Sequence, residues 1–221
     1  MLHDALVERV RRRPGDPLIT WYGHAGRREE LSAVTFANAV AKTAGLLTDE
    51  WDLVPETRVS LRLPLHWQAA VWLAACDIAG LTVVWDHDGD IVVSDRVDEA
   101  DIAVSTAPFG LPNGEIPAGV LDHARDALGQ PDDYLGPVIG GCWQVDGRRW
   151  DEGVLRDRVA DLISRHGARP LVTGPLTADV APAVWPLPPL ADSVVLLGDP
   201  NGDPGAIAAS EHTTGIVGGE P

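Results

Sequence analysis

Apolar positions along the chain recur with two periods. Residues 2, 6, 7 and 10 are apolar at helical spacing, so 2–13 reads as a helix, stopped by Pro14 and Gly15. PLITWY, 17–22, is a short β-rich run, and the polar GHAGRREE after it reads as a turn or loop. Ser32 suits a helix N-cap, and apolar residues at 36, 40, 44 and 47 predict a helix over 33–47. A strand over 59–63 ends at Pro64. Residues 67–79 are apolar on most of a helical surface and predict a buried helix capped by Gly80, followed by a buried strand at 81–85. Strand, helix, strand, helix, strand with short connections is the pattern of parallel βαβ units.

Further strands are predicted at 90–93 and 102–105, a connection rich in Pro and Gly at 107–119, and a helix at about 120–129. WQVDGRRW, 143–150, carries an Asp-Gly turn and reads as a hairpin. A long amphipathic helix follows to about 166, then strands at 170–173 and 193–197. A short helix lies between those strands, at 178–185. A weak helix at 206–211 and a last strand at 213–217 complete the pattern. The expected fold class is α/β: two βαβ-type lobes with mostly parallel sheets flanked by helices. The first lobe spans 1–108, a connection with a short helix 109–141, and the second lobe 142–221.

Composition narrows the partners. The chain has 221 residues, 33 acidic against 17 basic, and a formal net charge of −16. So acidic a surface repels phosphate backbones and anionic lipid, so no nucleic acid and no membrane is expected. Lys42 is the only lysine. Cys76 and Cys142 form neither a disulfide framework nor a metal site by their spacing. MLHDALVERVRRRPG has no apolar core of a secretory signal, and no apolar run reaches the roughly 18 residues of a membrane span. A cytoplasmic location is expected.

ELSAVTFANAVAKTAGLL, 30–47, and TRVSLRLPLHWQAAVWLAACDIAGLTVVWD, 57–86, resemble the opening of the adenylate-forming superfamily, the AMP-binding acyl-CoA synthetases. The resemblance holds in order, spacing and apolar pattern. It is similar also to a short actinobacterial family with an LP-x-HWQ sequence, related to those enzymes. It implies a fold like the N-terminal part of an acyl-CoA synthetase. More weakly, 151–198 resembles the section after the enzymes' phosphate loop, which puts that loop at about 136–150. GPVIGGCWQVDGRRW stands there, with glycines but no Ser/Thr run and no lysine. A phosphate cradle needs inward backbone N–H groups, hydroxyls and a cation. The TTG at 213–215 is not followed by the family's x-P-K-G and comes too late. The later segments that bring the ribose-binding Asp and the catalytic lysine have no counterpart in these residues.

Other constellations are sparse. Asp86, Asp88 and Asp90 cluster with His87 after a strand; such oxygens suit hard cations, but Ile91 stands where an EF-hand loop needs Gly. An acidic solvated turn is the simpler reading, and no metal is expected. His66 and His87 both follow strands, where α/β proteins place ligands. The crevice candidates are therefore His66, Trp67, Asp86 and His87, on one edge with 64–67, 86–90, 105–108 and 174–177. The alternative for His66 is that it caps or lines the loop before the buried helix. No catalytic residue and no cofactor is assigned. The expectation is a truncated, non-catalytic relative of the acyl-CoA synthetases, a binding or protein-partner module. The alternatives are part of a split adenylating enzyme or a nucleotide or acyl-CoA sensor. A protein partner or a homodimer is expected, since an open sheet edge invites pairing.

Overall fold

The computed structural model describes residues 1–85, 89–112 and 114–218. In chain order the elements are α1 Leu2–Arg12, β1 Pro17–Tyr22, β2 Arg28–Ser32, α2 Ala33–Gly45, β3 Arg58–Arg62, α3 Trp67–Ala79, β4 Thr82–Val84, β5 Ile91–Ser94, β6 Ile102–Ala103 and β7 Leu121–Asp122. Then come α4 His123–Asp126, β8 Cys142–Val145, β9 Arg148–Trp150, α5 Glu152–His166, β10 Leu171–Val172, α6 Ala181–Val184, α7 Leu187–Leu190, β11 Val194–Leu197, α8 Pro204–Ser210 and β12 Ile216–Val217.

The strands form two sheets. One has the order β12-β10-β11-β1-β2, the other β7-β6-β5-β3-β4-β8-β9. All pairings are parallel except β1 with β2 and β8 with β9. The α/β expectation with mostly parallel sheets is therefore met. The boundaries at 108 and 141 are not those of the structure. Unit 1 comprises 1–36, 64–70 and 153–221; unit 2 comprises 37–63 and 71–152. The cause is a long-range pairing: β1 lies parallel to β11, with Ile19 opposite Val194. No local pattern announces such a partner.

In unit 1 the inner strands are apolar on both faces. Leu18, Ile19, Leu171, Val172, Val194, Val195 and Leu196 are fully buried, as strands covered on two sides require. Part of the expected loop after β1 is strand β2. Its charged sequence REELS hides a strand because Glu29 and Leu31 face inward while Arg28 and Glu30 face out. The Ser32 cap is present: its Oγ accepts the Thr35 N–H at 3.2 Å.

In unit 2, residues 71–76 of α3 are all fully buried, which matches their unbroken apolar run. Gly80 ends that helix at φ +74°. The expected helix at 120–129 is broken. It is β7, one turn of α4 capped by the Asp122 carboxylate accepting the Arg125 N–H, and a 3-10 turn. Among the described residues no helix is long and apolar enough to cross a membrane.

Candidate functional site

The carboxyl ends of β1 and β11 carry a polar and aromatic cluster in unit 1. The chain leaves these neighbouring strands through Gly23 and Gly198. A Cβ on Gly23 would collide with the Trp21 ring, and one on Gly198 would lie 2.6 Å from Trp21 Nε1 and from the Leu65 carbonyl. The two glycines thus make room for the Trp21 indole, whose N–H donates to that carbonyl at 2.9 Å.

His66 sits against this indole, ring centroids 4.3 Å apart and nearly edge-on, with the Trp67 ring 5.2 Å away. Trp67 Nε1 donates to Glu29 at 2.7 Å, and Arg27 Nε is 3.2 Å from the same carboxylate. The Arg27 guanidinium also covers the Trp21 ring at 4.6 Å, a cation–π contact. The structure therefore joins His66 and Trp67 with Trp21, Arg27 and Glu29. The last three were not among the sequence candidates. Arg27 and Glu29 sat in the polar stretch read as a loop, and Trp21 in the β-rich run before it, with nothing to single it out.

His66 Nδ1 accepts the Gln68 N–H at 3.1 Å, so it caps the first turn of α3. An accepting Nδ1 places the proton on Nε2, which is buried and has no hydrogen-bond partner among the described residues. Burial, and then the Arg27 charge, push the imidazole pKa down to about 3. At neutral pH the ring is uncharged and poorly matched to acid–base work.

Asp86 and His87 lie outside the described residues. Asp90, which is described, is structural: its carboxylate accepts the Arg58 N–H at 2.9 Å. Of the four segments expected on one edge, 64–67, 89–90 and 105–108 come after β3, β4 and β6 of the seven-stranded sheet, whereas 174–177 comes after β10 of the five-stranded one. Residues 64–67 and 174–177 belong to unit 1, while 89–90 and 105–108 belong to unit 2. No cluster of three metal-ligating side chains occurs among the described residues.

The stretch 136–150 is the informative one in unit 2. Residues 142–150 form the β8–β9 hairpin, with Asp146 at φ +48° and Gly147 at φ +73°, a type I′ turn. The backbone donors before it point into the fold. Ile139 N–H goes to the Ile78 carbonyl at 3.0 Å, Gly141 N–H to the Asp77 carboxylate at 3.2 Å, and Cys142 N–H to the Leu81 carbonyl at 3.2 Å. Gly141 is needed there because a Cβ would lie 2.6 Å from the Leu81 carbonyl. Lys42 is likewise engaged, donating to the Gln130 carbonyl at 2.6 Å and pairing with Asp132 at 2.9 Å. In unit 1 the TTG run is a strand lead-in: Thr214 Oγ1 donates to the His166 carbonyl and accepts the Arg169 N–H.

Sequence reading also missed His123. It is buried in unit 2, its Nε2 is 2.9 Å from Thr43 Oγ1, and its ring lies 5.0 Å from Trp72. Burial lowers its pKa to about 4, against the opposing pull of Asp126.

No family model matches the chain. A protein of Mycobacterium tuberculosis (strain H37Rv) described as a TIGR03089 family protein is 37% identical over 177 residues, covering 71% of this chain and 70% of the relative. Among solved structures, a Brucella canis acyl-CoA synthetase superposes with a TM-score of 0.73 at 13% identity, over 96% of this chain and 46% of its own. A Mycobacterium tuberculosis fatty acyl CoA synthetase gives 0.67 at 12% identity, over 96% and 48%. The N-terminal subdomain of Klebsiella oxytoca NpsA gives 0.61 at 13%, over 95% and 58%. The likeness is one of fold, and the chain spans about half the length of those structures.

Proposed function

This chain belongs to the TIGR03089 family and has the fold of the N-terminal part of an acyl-CoA synthetase, and from that premise we propose that it is a non-catalytic relative of the adenylate-forming enzymes that works as a protein-binding module. One observation carries the reading. Where the resemblance puts the phosphate loop, the backbone N–H groups of Ile139, Gly141 and Cys142 are already spent on Ile78, Asp77 and Leu81. A triphosphate would have to win those donors from the fold, with no hydroxyl run and no free lysine to help. The Asp77 carboxylate at Gly141 N–H would also repel it.

A cytoplasmic location belongs to the same reading; the two buried free thiols, Cys76 and Cys142, suit a reducing compartment. The test is ATP-dependent pyrophosphate release by the pure protein with a panel of carboxylic acids, alongside calorimetric titration with Mg·ATP, AMP and CoA. The expected result is release at the buffer rate and no heat of binding. Acid-dependent turnover would sink the proposal. Micromolar binding of any of the three without turnover would replace it with a ligand sensor.

A further inference from the structure

We propose that the open edge of β9 is a docking strand for an extended acidic segment of a partner protein. The inference names the partner's chemistry and rests on the binding-module reading.

Three observations within unit 2 converge. Among the described residues β9 is the last strand of its sheet, paired on one side only, with β8. The two-residue I′ turn makes Val145 and Arg148 the hydrogen-bonded pair that closes the hairpin. The next pair, Gln144 with Arg149, is then the non-bonded kind, so the Arg149 N–H and C=O face the open edge. An extended chain could add there by two backbone hydrogen bonds.

The second observation is charge. Most cations of this acidic chain have a carboxylate partner, yet Arg148 and Arg149 are exposed and have no ion pair or side-chain hydrogen bond among the described residues. Unit 2 as a whole holds 20 acidic against 7 basic residues, so two unpaired arginines side by side stand out against a negative field.

The third is geometry. Neighbouring residues of a strand point to opposite faces, so Arg148 lies on the Trp143–Trp150 face and Arg149 on the Gln144 face. Two guanidiniums on opposite faces cannot clasp one phosphate group. A strand laid alongside, with two consecutive acidic residues, presents one carboxylate to each face and meets both. A second copy of the chain is a poor occupant. Antiparallel pairing of two β9 strands sets arginine against arginine, which is destabilising. Charge on an edge also serves to keep strands away, and the test separates the two roles.

A fluorescent peptide TVTDEVTV is titrated into the full chain. Two controls run beside it: the same peptide with Lys-Lys for Asp-Glu, and one with prolines flanking the acidic pair, which removes backbone donors. The expected result is saturable, salt-sensitive binding of the acidic peptide only. In the double variant Arg148→Glu, Arg149→Glu its affinity falls by about tenfold and the Lys-Lys peptide gains by a similar factor, with an unchanged melting temperature. Because both side chains are exposed, folding of the variant is checked by circular dichroism, and Arg149→Pro serves as a second variant that blocks the edge N–H while keeping Arg148. No saturation at millimolar peptide overturns the proposal, as does equal binding of the proline peptide or indifference to charge reversal. Failure here leaves the pyrophosphate result standing, and turnover in that assay leaves the peptide result readable.

Discussion

The two units are held together by different means. Unit 1 carries 10 arginines against 13 acidic residues, and unit 2 carries 7 basic against 20 acidic. In unit 1 the arginines join segments far apart in sequence. Glu211 accepts from Tyr22 at 2.6 Å, Arg28 at 2.9 Å and Arg169 at 2.8 Å, and Asp192 lies 3.1 Å from Arg13 and 3.5 Å from Arg9. In unit 2 Arg96 pairs with Glu99, Arg125 with Asp126 and Lys42 with Asp132, contacts that are local or loop-bound. Its cohesion comes from the apolar wall of α3 and from tryptophans. Trp143 contacts both Trp85 and Trp150, at 5.6 and 6.4 Å. A unit assembled from three chain segments gains most from charges that bridge them. A unit built largely from consecutive βαβ turns can rely on burial, and its surface charge is then free to serve recognition.

The largest test of that contrast is Trp72→Ala. Trp72 is fully buried in unit 2, and its removal should cost about 3–5 kcal/mol of unfolding free energy, read by urea titration. A loss below about 1 kcal/mol would mean that α3 is not the prop of unit 2.

Acid is the next lever, and it acts on both units through one buried histidine each. His66 and His123 are held neutral, with pKa values near 3 and 4, below the ordinary 6.5. The unfolded chain takes up a proton below pH 6.5 and the folded chain does not. Stability is therefore complete above pH 6.5 and falls as the pH drops toward the folded values. Between pH 7.5 and 5.0 each histidine should cost about 2 kcal/mol. This window lies above the ordinary carboxylate range, so Glu211 does not contribute. His123→Gln should lessen the acid loss by about 2 kcal/mol, measured by urea titration at the two pH values. An unchanged loss would show that the imidazole is protonated in the fold.

How far the residues foretold this can be judged element by element. The span of α3, the β1 run and the Asp-Gly hairpin were legible because each is set by local periodicity or a turn that only certain residues adopt. β2 was not, because REELS is mostly charged and its strand character depends on Glu29 finding Trp67 and Arg27. The unit boundaries were not, because parallel pairing of β1 with β11 is a choice among distant partners. At the candidate site, His66 and Trp67 were singled out by their place after a strand. The capping role of His66 needed the position of the Gln68 N–H. Arg148 and Arg149 were visible as letters, but their isolation is a fact about where every carboxylate went.

The smallest test compares one ion pair in each unit. Glu211 is 10% exposed and accepts from three groups, whereas the Glu99 carboxylate is 38% exposed and meets one arginine three residues away. Burial alone would raise the Glu211 pKa; hydrogen bonds from Arg28 and Tyr22 outweigh it and hold it low. Its stabilisation is thus present above the ordinary carboxylate range and lost as pH falls through the folded value. Glu211→Gln should cost about 1.5 kcal/mol at pH 7.5, and the loss should persist at high salt because the bonds are partly shielded from water. Glu99→Gln should cost less than about 0.5 kcal/mol and nothing once salt screens the pair. Equal costs would mean that the bridging network adds no more than any surface pair, and that unit 1 also stands on its apolar strands.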